Sequence, residues 1–212
     1  MKGEYIYNDY NKNPDPSHRP MYLSKVLAFL GGDQVRKVID VGCGGGDFSV
    51  GLAEAGYEVY GIDLSESAIR FAKSRGIGNF AVSSVYTDLT KPFESVNQFD
   101  AAVLVDVIEH LYSPRLCIHQ ISKSLRPGGL LIITTPYWGY LKNLLLALTN
   151  RTDAALTVLW DGGHIKHFSR KTLVQLVTER DFKFVGFKGC GEGLRARAPY
   201  LWNGMLVCFR KT

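Results

Sequence analysis

Residues 38–47 read Val38-Ile39-Asp40-Val41-Gly42-Cys43-Gly44-Gly45-Gly46-Asp47, a short apolar run interrupted by one acid and ending in glycines. A β-branched run such as Val38–Val41 suits a buried strand. Glycines directly after it let the backbone bend sharply and approach a ligand closely. The run from Phe48 to Ala55 has helical spacing and Gly56 stops it, so the loop sits at a helix N-terminus. A dinucleotide loop needs G-x-G-x-x-G. Counted from Gly42 the sixth position is Asp47, and counted from Gly44 it is Ser49. The pattern that fits is acidic-x-Gly-x-Gly-x-Gly, from Asp40 to Gly46. A carboxylate here suits a cationic amino group and repels a pyrophosphate.

Outward from this loop, strand-like and helix-like runs alternate. Val59–Ile62 is a second strand, and Asp63 ends it. A carboxylate at that point can take both hydroxyls of a ribose. Its alternative role is a helix cap, for which Ser65 is better placed, and Leu64 is available to cover an adenine face. Phe80–Ser83 is a third strand, leading to Ser84 and Val85. Phe99–Val105 is apolar almost throughout, as in a strand covered on both faces. A helix from Pro114 to Leu125, a turn at Pro127-Gly128-Gly129 and a strand Leu130–Thr134 follow. Ser169 caps a helix to Arg180, and Phe182–Lys188 and Leu201–Phe209 close the chain with no helix between them. The alternation predicts an α/β fold with a mostly parallel seven-stranded sheet, helices on both faces and an antiparallel edge pair. We expect one domain: an arm and helix (1–35), a core (36–136), an insertion (137–168) and a C-terminal helix with the strand pair (169–212). Such sheets bind ligands at the carboxyl ends of their strands, here near 42–46, 63, 84–86, 106–110 and 136.

Composition narrows the class. With 46% apolar and 21% charged residues, the chain of 212 reads as an ordinary globular protein. Its net charge of +5 fits a solvated surface or an anionic partner. The four cysteines are not spaced as CxxC, which argues against a zinc ribbon or redox pair and for a reducing, cytoplasmic setting. Met1–Pro20 lacks the apolar core of a signal peptide, and no run approaches the roughly 20 apolar residues of a membrane span.

The loop, Asp63, the run Val105-Asp106-Val107-Ile108-Glu109-His110-Leu111 and Arg126-Pro127-Gly128-Gly129 together cover residues 36–136. In these segments the chain resembles the class I S-adenosylmethionine-dependent methyltransferases, which implies their Rossmann-like fold and their cofactor. The Glu109-His110 pair, an arm ending in His18-Arg19-Pro20 and a long His-containing insertion make the layout similar to the ubiquinone-biosynthesis O-methyltransferases. By that resemblance Gly42 and Gly44 face the methionine moiety, and Asp40 supports the loop and the amino group. Asp63 and Leu64 take the nucleoside, with Ser84, Val85 and Asp106 beside it. Arg19 reaches the cofactor carboxylate or is a surface residue. No acid stands at Ser84-Val85 for the adenine amine, and Asp88 is the nearest substitute. The resemblance also associates Asp106, Glu109 and His110 with a divalent cation, and Asp106 and Glu109 share a helical face whose oxygens would suit magnesium. Because Glu-His pairs look common in metal-free relatives, a metal is not favoured, and His110 is expected to make a structural hydrogen bond or wall the site.

The insertion carries an apolar stripe at helical spacing: Tyr137, Tyr140, Leu141, Leu144, Leu145 and Leu148. It is a lid over an apolar substrate, a membrane-surface segment through 137–160, or plain core or dimer packing. Tyr137, Trp138 and His167 are candidate substrate residues. In Asp161-Gly162-Gly163-His164, His164 is the candidate base and Asp161 its orienting partner; the alternative is a histidine bonded to backbone. The function these residues imply is methyl transfer from S-adenosylmethionine to an oxygen of a small apolar or aromatic acceptor. Such an in-line displacement is accelerated chiefly by alignment and exclusion of water. A nicotinamide oxidoreductase is the first alternative, and the failed G-x-G-x-x-G pattern opposes it. A non-catalytic, membrane-attached cofactor-binding module is the second. No Asn-Pro-Pro-aromatic run or Pro-Cys pair indicates nucleic acid, and either a monomer or a homodimer fits.

Overall fold

The computed structural model describes residues 19–32, 34–156, 158–159, 162–191 and 201–212. One seven-stranded sheet runs through it in the order β3-β2-β1-β4-β5-β7-β6. The strands are β1 (Lys37–Val41), β2 (Glu58–Asp63), β3 (Asn79–Val82), β4 (Phe99–Val105), β5 (Leu125–Pro136), β6 (Phe182–Cys190) and β7 (Gly204–Lys211). The first five pair in parallel, while β7 pairs antiparallel with both β5 and β6. The chain thus moves outward from β1 to β3, then starts again at β4 on β1's other side. Strand order reverses between β1 and β4, which opens a crevice at their carboxyl ends.

Alternation along each strand divides the core into two layers. In β4, Ala102 and Leu104 enter one apolar cluster and Ala101 and Val103 the other. The first layer is covered by α4 (Pro114–Ser124) and α7 (Arg170–Thr178), through residues such as Ile118, Ile121, Leu173 and Val177. The second is covered by α1 (Arg19–Leu30) and α2 (Asp47–Glu54), through Tyr22, Val26, Phe48 and Leu52. Helix α3 (Glu66–Ser74) lays Ile69 and Ala72 against Phe80 and Cys43. Its N-cap is Ser65, whose side chain accepts from Ala68 N–H. Ser169 and Thr172 form a reciprocal capping box that starts α7.

Two expectations are corrected. Pro127-Gly128-Gly129 does not precede β5 but lies within it, where pairing shifts from Phe99 with Leu125 to Ala101 with Leu130. The left-handed Gly128 (φ 76°) allows this bulge. As expected, the last two strands form an antiparallel pair at one edge of the sheet, with β7 against β5 and β6 outermost. The insertion forms α5 (Tyr140–Leu148) and a short α6 (Thr152–Leu156). Tyr137 lies ahead of α5, not on its stripe, because its N–H is drawn to the Asn203 carbonyl beside β7. No residue of α5 is buried; Tyr140 is 83% and Leu148 73% exposed. Among the described residues no helix is long and apolar enough to cross a membrane.

Candidate active site

The crevice between β1 and β4 is lined first by the glycine loop. Gly42, Gly44 and Gly46 all have left-handed backbones (φ 78°, 52° and 77°). Gly42 and Cys43 both donate to the Ile62 carbonyl, at 2.8 and 2.9 Å. A Cβ on Gly42 would lie 2.7 Å from Cγ2 of Val107, so the loop and the end of β4 meet across bare backbone. Asp63 ties this loop to the next element. Its Oδ2 accepts from Gly44 N–H and its Oδ1 from Ser65 N–H, each at 2.9 Å. Burial raises its pKa, and the backbone donors of Ser65, Gly44 and Leu64 oppose the rise. Leu64 beside it is half-buried.

Asp40 lies beneath the loop, 1% exposed, and accepts from the Ser49 hydroxyl at 2.7 Å. Burial pushes its carboxyl up to about 7, partly opposed by the Ser49 bond and aided by the Asp63 charge. It braces the loop against α2. Ser84 and Val85 follow β3. Ser84 Oγ accepts from Tyr86 N–H, and the Val85 side chain joins the core, leaving only its backbone for a ligand. Asp88 is turned to Thr90, accepting from its N–H and hydroxyl at 3.0 and 2.8 Å.

Asp106 follows β4 with a left-handed backbone (φ 52°), a conformation unusual for a residue with a Cβ. Its N–H donates to Thr134 Oγ at 3.1 Å, and the Thr134 hydroxyl donates back to Oδ1 at 3.2 Å. The Tyr22 hydroxyl of α1 also bonds the Asp106 carboxylate. Tyr22 is a site residue that sequence reasoning passed over. Its only signal is a place three residues after Arg19 on one helix, and its ring is 3% exposed.

A tight turn follows, Ile108–His110, and the segment after α6 is fastened to it. The Glu109 carbonyl accepts from Ile165 and Lys166 N–H, both at 3.0 Å. His110 Nδ1 donates to the Gly162 carbonyl at 2.9 Å. These bonds set the His110 and His164 rings 4.9 Å apart and put His164 Nε2 4.0 Å from Glu109 Oε1. The Glu109 carboxyl is 0% exposed and has the Thr135 side chain beside it. Burial, then the Asp106 charge, raises its pKa well above the usual range. Burial and the neighbouring His110, His167 and Lys142 push His164 down to about 4, so it is neutral near pH 7. Burial also lowers His110.

Of the expected substrate residues, Trp138 and His167 form an edge-to-face pair at 4.5 Å, with the Lys142 ammonium 5.1 Å from the Trp138 ring. Tyr137 is corrected: its ring is 8% exposed and packs on Phe187 and Trp202 as core. Asp161 and the Arg19 side chain lie outside the described residues.

The family model described as a methyltransferase domain matches residues 17–185. A curated relative, the ubiquinone biosynthesis O-methyltransferase of Alkalilimnicola ehrlichii, is 34% identical over 119 residues, which are 55% of this chain and 48% of the relative. The match therefore spans about half of that relative's length. A solved protein of Pyrococcus horikoshii superposes with TM-score 0.71 at 20% identity, covering 97% of this chain and 95% of that one. The magnesium protoporphyrin IX methyltransferase of Synechocystis, solved with SAH bound, gives 0.67 at 16% identity over 99% and 90%. At such identities these structures bear on the fold.

Proposed function

The chain belongs to the methyltransferase-domain family, and from that premise we propose that it moves the methyl group of S-adenosylmethionine to an oxygen of a small, apolar or aromatic acceptor. The observation that carries this reading is the left-handed glycine loop pinned to Asp63 at the reversal of strand order. Gly42 and Gly44 leave room for the methionine part, and Asp63, with Leu64 beside it, holds the ribose side. Ser84 and the Val85 backbone border the base. Asp40, sealed below, stiffens the loop, and Asp106 closes the far wall.

The bound cofactor supplies a sulfonium whose methyl is already electrophilic, so the protein's task is alignment and dryness. As the oxygen–carbon bond forms, the carbon–sulfur bond breaks and the hydroxyl proton must leave. We assign that proton to the cluster of Glu109, His110 and His164, where His164, neutral at pH 7, comes from the segment after α6. Trp138 and His167 flank this segment and suit an aromatic acceptor. The exposed apolar residues of α5 sit on the same insertion and favour an apolar substrate or contact with a membrane surface.

Isothermal titration with S-adenosylmethionine and with NAD tests the reading. We expect stoichiometric binding of the first and none of the second. NAD binding without S-adenosylmethionine binding would return the chain to the oxidoreductases.

A further inference from the structure

Beside the glycine loop, the crevice holds one residue that meets the same backbone demand differently. Gly42, Gly44 and Gly46 take a left-handed conformation by having no side chain, yet position 106, at φ 52°, carries an aspartate. Among the described residues only Asn150, in the turn after α5, is also left-handed without being glycine. A carboxylate kept where glycine would relieve the strain points to a use for the carboxylate. We propose that Tyr22 and Thr134 are positioning residues that aim the Asp106 carboxylate at the positive charge of the cofactor's methionine end. The proposal rests on the S-adenosylmethionine reading of the crevice and extends it to two residues outside the loop.

Three elements converge on that carboxylate. Thr134 of β5 holds residue 106 at two points: its Oγ accepts from the Asp106 N–H at 3.1 Å, and its hydroxyl donates to Oδ1 at 3.2 Å. Tyr22 of α1 donates its hydroxyl to the same carboxylate. Burial, then the Asp106 charge, raises the Tyr22 pKa, so the phenol keeps its proton and acts as the donor. Gly204, at the start of β7, makes room for this hydroxyl, because a Cβ there would collide with it. Backbone and side chain of Asp106 are thus both fixed from outside the loop. Such over-determination is what keeps a strained residue in place.

Both donors are neutral, so they orient the carboxylate without cancelling its charge. Asp106 stays half-buried, and the next residue, Val107, is the one that meets Gly42. The carboxylate therefore borders the same crevice as the loop assigned to the methionine part. S-adenosylmethionine carries an ammonium and a sulfonium in that part. A half-buried carboxylate attracts either cation more strongly than one in bulk water. A carboxylate free to turn would lose part of that attraction to ordering its own side chain. Two hydroxyl bonds made before the cofactor arrives remove that cost.

Calorimetric titration with three ligands separates positioning from plain structural support. S-adenosylmethionine has both charges, S-adenosylhomocysteine keeps the ammonium only, and methylthioadenosine has neither. Tyr22→Phe keeps the ring and removes the hydroxyl. It should weaken S-adenosylmethionine by about tenfold, the effect of losing one hydrogen bond to a charged group, and leave methylthioadenosine within about twofold. Thr134→Val should do the same, and Thr134→Ser, which keeps the hydroxyl, should recover most of the loss. That pair carries the test should Tyr22→Phe not fold, and melting curves on each variant report folding. If S-adenosylhomocysteine weakens alongside, the charge held is the ammonium; if it does not, the charge is the sulfonium. Either pattern supports the proposal. Equal weakening of all three ligands in the variants lacking a hydroxyl, or weakening of none, overturns it and leaves the functional reading standing. Failure of the unaltered protein to bind S-adenosylmethionine overturns both.

Discussion

Alanine at position 42 would meet two obstacles at once. The position holds φ 78°, where a side chain costs roughly 1–2 kcal/mol. The new Cβ would also stand 2.7 Å from Cγ2 and 3.1 Å from Cγ1 of Val107. Overpacking of that kind costs about 1–3 kcal/mol, so the total for Gly42→Ala is about 2–5 kcal/mol. At roughly 2–4 °C per kcal/mol for a chain of this size, melting should fall by about 10 °C. The two costs are separable. Val107→Ala removes both methyl groups that crowd the Cβ but leaves the backbone strain. The double variant should therefore recover the overpacking share, a coupling of about 1–3 kcal/mol, and keep the remainder. Equilibrium urea unfolding of the four proteins measures the cycle. Titration with S-adenosylmethionine should show Gly42→Ala weakened more than tenfold, because the loop must move off the Ile62 carbonyl that anchors it. A coupling under about 0.5 kcal/mol, within the additivity of independent sites, would refute the contact between loop and β4 on which the site's geometry rests.

Three further outcomes follow from the same geometry. Asp40 is raised to about 7 in the fold, while an unfolded carboxyl titrates near 3.9. The folded state therefore holds the extra proton, and stability should fall as pH rises from about 4 to about 7 and level off above. Asp40→Asn should flatten its share of that slope, of order 4 kcal/mol at most, in urea midpoints compared at pH 5 and 7.5. Asp63→Asn leaves one oxygen for two backbone donors, Gly44 and Ser65. Losing a hydrogen bond to charge should weaken S-adenosylmethionine by about 10–100-fold in calorimetry. Ser169→Ala removes the capping box of α7 and should cost about 1 kcal/mol in urea unfolding, with cofactor affinity unchanged.

Much of this architecture was legible along the chain. The glycine loop, the doubly covered β4, the caps at Ser65 and Ser169 and the antiparallel pairing of the last strands all follow from patterns a few residues long. Left-handed backbone selects glycine, burial on both faces selects a continuous apolar run, and a helix start selects a hydroxyl. Those preferences act locally, so sequence reading captures them. Other features depend on which segments dock. The insertion of β7 beside β5 is decided by pairing over seven residues, and it pulls Tyr137 off its helical stripe and into the core. The cluster of Glu109, His110 and His164 joins side chains more than fifty positions apart, through bonds from a loop to a turn. Tyr22 reaches Asp106 only because α1 packs across the sheet. Local chemistry thus determines where the chain can bend and what each bend can bind. Only tertiary packing chooses which bends meet, because a through-space contact leaves no period in the sequence.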